Sequence, residues 1–140
     1  MINKRFSDNG ESANTFMNKG MILVKCPICQ RCAFGSLDPT KIICHKCGFI
    51  KTSGSFSYGN GTFFEEDLWL ETECCSEKLW AYNKEHLDFL EKYIQATLRE
   101  RKPNLTHSLA SRLPIWMKKS SNREKVLKGI QKLKDKLEDI

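Results

Sequence analysis

The sequence lacks the features that mark membrane and secreted proteins. No apolar run approaches the ~20 residues that a membrane span needs, and the polar residues 1–20 contain no apolar core of a secretory signal. We therefore expect a cytoplasmic protein with no membrane attachment, a compartment in which thiols stay reduced. Seven cysteines in such a compartment favour metal binding over disulfides, and their odd number agrees with this interpretation.

Motifs of catalysis are also missing. His86 and His107 stand alone, there is no His-Glu-x-x-His pattern, and no glycine-rich phosphate loop follows a predicted strand. We expect a protein that is not an enzyme.

Two Cys-x-x-Cys pairs, separated by residues 30–43, give the clearest chemical signal in the chain. They consist of Cys26, Cys29, Cys44 and Cys47. Each pair fits one tight turn, and two facing turns supply four thiolates at tetrahedral corners, an arrangement that suits Zn²⁺. Gly48 follows the last cysteine, where the chain bends back. The spacing predicts one structural zinc ion with no open position for water or substrate.

Cys32 leaves an alternative open. Together with Cys26 and Cys29 it matches the first three ligands of a ferredoxin-type iron–sulfur run, although Ser36 stands where the fourth ligand belongs. Cys32 also competes with Cys29 as a zinc ligand, but Cys29 has the better spacing from Cys26.

The remaining candidate ligands are weaker. His45 lies inside the second pair and is expected to face solvent. Cys74 and Cys75 are adjacent, and we expect one to pack in a core and the other to be exposed. The alternative is a redox or second-metal role for this pair.

The chain is predicted to be α+β: an N-terminal antiparallel zinc ribbon, a β-hairpin and a C-terminal helical segment. Residues 1–20 read as a disordered leader, residues 21–51 as the ribbon, residues 52–62 as a Ser/Gly-rich connector and residues 63–140 as the hairpin plus helices. In the ribbon, residues 21–24, 42–43 and 49–50 are expected to form strands, with a turn at residues 38–39.

The hairpin is predicted from two alternating segments, 67–73 and 78–82, joined at residues 74–77. Asn83 should cap a helix that ends near Arg101, because Pro103 cannot continue it.

Further helices are expected downstream of Pro103. A short helix over residues 106–113 and a turn or helix from Pro114 that contains Trp116 should follow. Residues 121–124 have capping-box spacing before a final helix. Its apolar seam comprises Val126, Ile130, Leu133, Leu137 and Ile140.

Charge is distributed unevenly along a chain of net charge +6. Residues 55–91 carry nine acidic and two basic side chains, whereas residues 99–134 carry eleven basic and two acidic ones. The densest basic group is a candidate contact for DNA or RNA phosphates, or for an acidic protein partner. It consists of Arg112, Lys118, Lys119, Arg123 and Lys125.

The paired cysteines resemble the zinc ribbons of general transcription factors and RNA polymerase subunits. The longer pattern is similar to small bacterial zinc-ribbon-containing proteins of unknown function. It is carried by the paired cysteines with Gly48 and by segments 68–70, 74–75, 79–83, 85–87, 98–101 and 108–118. Ser76 stands where the group has Gly. The ribbon together with the basic C-terminal third predicts a zinc-stabilised, non-enzymatic module that is nucleic-acid-binding or transcription-associated. Alternatives are a protein–protein adaptor or a thiol-based redox or metal sensor that uses Cys32, Cys74 and Cys75.

Overall fold

A computed structural model describes residues 5–8, 21–37, 40–52, 58–59, 62–95, 98–101 and 113–140. Its elements in chain order are β1 Arg5–Asp8, β2 Ile22–Lys25, β3 Cys32–Leu37, β4 Thr40–Ile43, β5 Ile50–Lys51, β6 Tyr58–Gly59, β7 Thr62–Phe63, β8 Glu66–Asp67, β9 Leu70–Cys74, β10 Glu77–Ala81, α1 Lys84–Gln95, β11 Leu98–Arg101, α2 Ile115–Lys118, a 3₁₀ turn Ser120–Asn122 and α3 Arg123–Leu137. The protein is therefore mixed α+β. None of the helices in these ranges is long and apolar enough to cross a bilayer.

The N-terminal part is a four-stranded antiparallel sheet in the order β2-β3-β4-β5. Lys25 lies opposite Cys32, and Ile43 lies opposite Ile50. Because successive strands run in opposite directions, the β2–β3 and β4–β5 turns lie at the same end of the sheet. This topology brings the two cysteine pairs together.

The predicted ribbon strands are confirmed, but β3 was missing from the prediction. Its sequence includes Gly35 and Ser36, which are poor strand formers in isolation. Gly35 is required by packing: a Cβ there would lie 2.8 Å from Cε2 of Phe63. The predicted turn at residues 38–39 lies outside the described residues.

The predicted hairpin is confirmed as β9 and β10, with Cys74 opposite Glu77 and Leu70 opposite Ala81. It is shorter than expected at its start, because residues 66–67 form β8, which pairs with β7. Its two-residue turn holds Cys75 and Ser76 at φ values of 55° and 62°. Both residues are left-handed, as in the type I′ turn that matches the twist of a hairpin.

Helix α1 begins as predicted at Asn83. The backbone N–H of His86 donates to Oδ1 of Asn83 at 2.9 Å, which satisfies one of the free donors of the first turn. The backbone N–H of Tyr82 donates in return to Nδ1 of His86 at 3.0 Å. These two bonds fix the corner between the hairpin and the helix.

The predicted end of this helix near Arg101 is wrong. The helix ends at Gln95, and residues 98–101 form β11, which pairs in parallel with β1. A strand near the N-terminus supplies the backbone hydrogen bonds, and local helical periodicity carries no information about such a distant partner. Strand β1 also lies inside the predicted disordered leader. The division into domains otherwise stays a prediction.

Helix α3 begins at Arg123, but the predicted capping box does not form. Asn122 occupies the N-cap position and makes no side-chain cap. Its Nδ2 donates instead to the backbone oxygen of Trp116 at 2.9 Å, which ties α3 to α2. The apolar seam is confirmed at Val126, Ile130 and Leu133, all fully buried. Apart from Leu113, the predicted helix over residues 106–113 lies outside the described residues, as does His107. Residues 53–57 and 60–61 of the predicted connector also lie outside them, whereas Tyr58–Gly59 form β6 and Thr62 begins β7, so strands lie within the predicted connector.

Two hydrophobic clusters meet at the sheet, one on each face. Alternation along β3 sends Ala33 to one face and Cys32 to the other. We call the first the thiol-side cluster; its members are Ile22, Val24, Cys26, Ala33, Ile42, Cys44, Phe63, Phe64, Leu68 and Tyr82. We call the second the helix-side cluster; it joins Leu23 and Cys32 to the hairpin and to α1, α2 and α3.

Candidate metal centre

The two cysteine turns have the same backbone geometry. In the first, the N–H of Gln30 donates to the oxygen of Cys26 at 2.9 Å; in the second, the N–H of Gly48 donates to the oxygen of Cys44 at 3.0 Å. Gln30 and Gly48, equivalent in the two turns, have φ values of 62° and 83°. In each turn the chain therefore reverses direction after the second cysteine, at a residue with left-handed backbone.

The four thiols of these turns form one cluster. The sulfur atoms of Cys26 and Cys47 are 3.6 Å apart, as are those of Cys29 and Cys44. All four lie within 4.8 Å of one another. A tetrahedral site with metal–sulfur bonds of about 2.3 Å has sulfur–sulfur edges of roughly 3.8 Å. The cluster can therefore hold a metal ion with little rearrangement.

Electrostatics in the cluster favour a cation. Burial raises the pKa of Cys44, but backbone N–H donors of Cys47 and Lys46 and the neighbouring thiols outweigh it, and the pKa falls to about 7. At Cys47 the backbone donor of Phe49 lowers the pKa, yet burial and the other thiols raise it to about 12. The Cys44 thiol thus ionises readily, and its negative charge opposes ionisation of the neighbouring thiols. A bound cation would offset this repulsion.

Burial differs among the four sulfurs. Cys26 and Cys44 are fully buried in the thiol-side cluster, Cys29 is half-buried and Cys47 is exposed. One side of the site is therefore anchored in the core, and the other faces solvent.

Cys32 does not belong to this cluster. It lies on β3 in the helix-side cluster, is 1% exposed, and its thiol donates to the oxygen of Ala33 at 3.6 Å. Burial raises its pKa to about 11, against a smaller lowering by Lys46. Strand alternation thus separates Cys32 from Cys26 and Cys29, which argues against an iron–sulfur site built on these three residues. His45 is exposed as expected, with its ring centroid 5.7 Å from that of Phe34.

Cys74 and Cys75 lie at the hairpin tip and do not belong to the four-thiol cluster. Cys74 packs in a core as expected, with 7% exposure in the helix-side cluster, whereas Cys75 is half-buried and not exposed as predicted. Their sulfur atoms are nevertheless only 3.6 Å apart.

The candidate phosphate contacts fall in and around α2 and α3. Lys119 and Lys125 are exposed, and Lys118 and Arg123 are half-buried. Arg112 lies outside the described residues. Lys128 and Lys132 are not among the predicted contacts, which were the basic residues closest together in the sequence. With Lys125 they occupy positions i, i+3 and i+7 of α3, and all three are exposed. Their spacing, which places them along one face of a helix, was the sequence signal that could have identified them.

Comparisons with known proteins provide no further assignment: no family model, no curated protein and no solved structure matches this chain. The likeness to zinc-ribbon proteins therefore rests on the four clustered cysteines alone.

Proposed function

We propose that this protein is a zinc-stabilised, non-enzymatic module that binds nucleic acid through the outer face of α3. The metal part rests on the four thiols within 4.8 Å of one another. Four thiolates are the ligand set of structural zinc and leave no position for a substrate. In this proposal the metal orders the two turns, and the binding surface lies elsewhere.

Metal analysis with an absorption spectrum tests the zinc assignment. One zinc per chain without a visible band supports it. Iron with a band near ~400 nm would replace it with an iron–sulfur centre. Zinc that persists in a Cys44→Ser variant would refute the ligand set.

The binding part rests on one observation, the row of exposed Lys125, Lys128 and Lys132 along α3. Among the described side chains, the acidic segment has internal partners: Glu91 pairs with Lys134, and Glu71 pairs with Lys78 at 2.7 Å. These pairs neutralise part of the acidic segment, so the row on α3 contributes to a positive potential on that side of the molecule.

Fluorescence anisotropy with single- and double-stranded DNA and RNA over a salt series tests the binding. Replacing all three row lysines by Gln should weaken binding to every sequence alike. It should also reduce the slope of log K against log salt by roughly 2 to 3, because phosphate contacts release counterions.

A matched triple variant separates position from net charge. Lys25, Lys84 and Lys92 are exposed and lie on β2 and α1, so their replacement by Gln removes the same charge from other surfaces. We expect a clearly smaller effect from this control. Equal effects of the two variants, or no salt-dependent binding at all, would rule out the α3 face.

A protein–protein adaptor is the second candidate, favoured by the exposed Ile115 next to the basic residues. Ile115 is 75% exposed on α2, close in sequence to Lys118 and Lys119. An apolar side chain among lysines suits an acidic protein surface better than phosphates alone. A partner that survives nuclease treatment and is lost on Ile115→Ser, while nucleic-acid binding is absent, would support this alternative.

A further inference from the structure

The adjacent cysteines at the hairpin tip are the most unusual chemical feature outside the four-thiol cluster. Neighbouring residues in a strand point to opposite faces of the sheet. Cys74 is the last residue of β9, and Cys75 begins the turn with φ of 55°. The left-handed backbone at Cys75 breaks the alternation, and the two sulfurs come within 3.6 Å of each other.

This separation suits two thiolates on one bent centre. With metal–sulfur bonds of about 2.3 Å, a near-tetrahedral angle places the sulfurs roughly 3.8 Å apart, and a linear arrangement places them roughly 4.6 Å apart. The observed 3.6 Å matches the bent case.

A disulfide fits this site less well. Consecutive Cα atoms lie about 3.8 Å apart across a trans peptide, whereas disulfides usually join Cα atoms 4.4–6.8 Å apart. A bridge between the two residues would be strained and easily reduced.

The tip offers two protein ligands and no more. Within the part of the chain that the structure describes, the four-cysteine cluster is the only group of three or more potential metal ligands. The tip therefore lacks two of the four ligands that zinc takes. A soft atom that already carries a third substituent of its own needs only two sulfur ligands from the protein.

The surroundings of the pair combine access with positive charge. Cys75 is half-buried, and Ser76 and Glu77 beside it are exposed, so a small molecule can reach the tip from solvent. Helix α3 approaches from the other side, where Gly129 has no Cβ and an added one would lie 3.6 Å from Sγ of Cys74. Burial and the neighbouring Cys75 thiol raise the pKa of Cys74 to about 11, against a smaller lowering by Lys132 and Lys125 of this helix.

We propose that Cys74 and Cys75 form a dithiol site that chelates a soft, thiophilic centre of the trivalent arsenic class through both sulfur atoms. With phenylarsine oxide as the ligand, two S–H bonds break and two As–S bonds form. The arsenic-bound oxygen leaves as water with both thiol protons. Arsenic stays trivalent, so no oxidant or reductant takes part.

Chelation at this site also reaches α3. Sγ of Cys74 contacts the backbone oxygen of Lys125 at 3.5 Å, a contact in which the thiol is the donor. Loss of the thiol proton removes this hydrogen bond, so occupancy of the tip alters the first turn of the helix that carries the basic row.

The experiment treats the full, zinc-loaded chain with phenylarsine oxide in the presence of excess monothiol. Native mass spectrometry counts adducts, peptide mapping locates them, and a chromophoric chelator reports released zinc. We expect one adduct across Cys74 and Cys75, zinc retained, and reversal by a small dithiol. In Cys75→Ser the affinity should fall by at least about 100-fold, because the second sulfur no longer acts at high effective concentration.

Cys32→Ala provides the matched control, since it removes one buried thiol outside both sites and should leave the adduct unchanged. Peptide mapping of the unaltered chain keeps the test valid even where a variant misfolds. The proposal is overturned by no adduct, by an adduct that persists in Cys75→Ser, by zinc loss in step with labelling, or by isolation of the chain with Cys74 and Cys75 joined in a disulfide.

Discussion

The two hydrophobic clusters achieve their order by different means. The helix-side cluster covers the inner face of the hairpin with three helices, and Val126, Ile130 and Leu133 of α3 are fully buried there. The thiol-side cluster includes two of the four clustered cysteines, and its sheet consists of strands of two to six residues. Because these strands are short, we expect the sheet to depend on a cross-link through the four thiols.

The contrast extends to the turns. Both regions contain tight turns with left-handed residues that are not glycine: Gln30 after the first cysteine pair and Ser76 in the hairpin. In the hairpin, strand pairing and α3 hold the turn in place. In the cysteine turns, the same left-handed backbone lies beside the thiols, and a metal ion bound to them would hold the turn in place. The comparison predicts that the two regions respond differently to metal removal and to mutation.

Metal removal should have the largest effect. Chelation, or Cys44→Ser, should remove stabilisation on the order of 10 kcal/mol. Amide hydrogen exchange should show loss of protection mainly in residues 22–51, with protection retained in α3. Uniform loss across both clusters would mean that they unfold as one cooperative unit, and the distinction between them would fail.

Acid should act through the corner that joins the two clusters. Burial lowers the pKa of His86 to about 3, whereas an unfolded histidine has a pKa of about 6.5. Between about pH 3 and pH 6.5 the histidine is protonated in the unfolded chain but not in the folded chain. The free energy of unfolding therefore falls as the pH drops below about 6.5. From pH 7 to pH 5 we expect a loss on the order of 2 kcal/mol in denaturant unfolding.

The matched variant for this test is His86→Asn, which keeps a hydrogen-bond acceptor for the N–H of Tyr82 but does not titrate. Its stability should change less over the same pH range. Acid would release any bound metal from both proteins alike, so the difference between their slopes reports the histidine. Parallel slopes would contradict the assignment of a buried, neutral His86.

Packing on the thiol side should tolerate little added volume. In Gly35→Ala the new Cβ would lie 2.8 Å from the fully buried ring of Phe63, and overpacking of this kind costs about 1–3 kcal/mol. Thermal or denaturant unfolding of the metal-loaded protein measures the loss. The double variant with Phe63→Leu should recover part of it. Additive losses would show that the ring is not the obstacle.

The smallest effects should come from the two turns, one in each region. Ser76→Gly and Gln30→Gly each place glycine at a left-handed position and should stabilise the metal-loaded protein by up to about 1 kcal/mol, because the relief of left-handed strain exceeds the added entropy of the unfolded chain. Without metal, the gain from Gln30→Gly should vanish, while that from Ser76→Gly remains. Denaturant unfolding with and without chelator measures both. Ser120→Gly, at a position without left-handed backbone, should bring no gain.

Local patterns in the sequence were sufficient for the features that depend on neighbours along the chain. The spacing of the paired cysteines predicts the four-thiol cluster, because a Cys-x-x-Cys turn has one compact geometry. The cap at Asn83 and the hairpin around residues 74–77 follow from side-chain hydrogen bonding and from alternation. The apolar seam of α3 follows from helical periodicity.

Features that depend on distant partners were decided by the tertiary structure. Strand β3 requires β2 and β4 on either side and the close approach of Phe63 to Gly35. Strand β11 requires β1, which lies 93 residues earlier in the chain, since Leu98 pairs with Arg5. Pairing between strands so far apart produces no hydrophobic periodicity in either segment. The sequence pattern therefore predicts a helix at residues 98–101, where β11 forms.

The cysteines illustrate this division most clearly. The sequence by itself determined that residues 26, 29, 44 and 47 form one group that could hold a metal ion, because short turns fix which sulfurs face each other. Only the tertiary structure decided the fate of the other three. Strand alternation turned Cys32 to the opposite face, and a left-handed turn brought Cys74 and Cys75 to within 3.6 Å of each other. Both outcomes depend on the backbone path through the sheets. The spacing of cysteines along the chain does not specify that path.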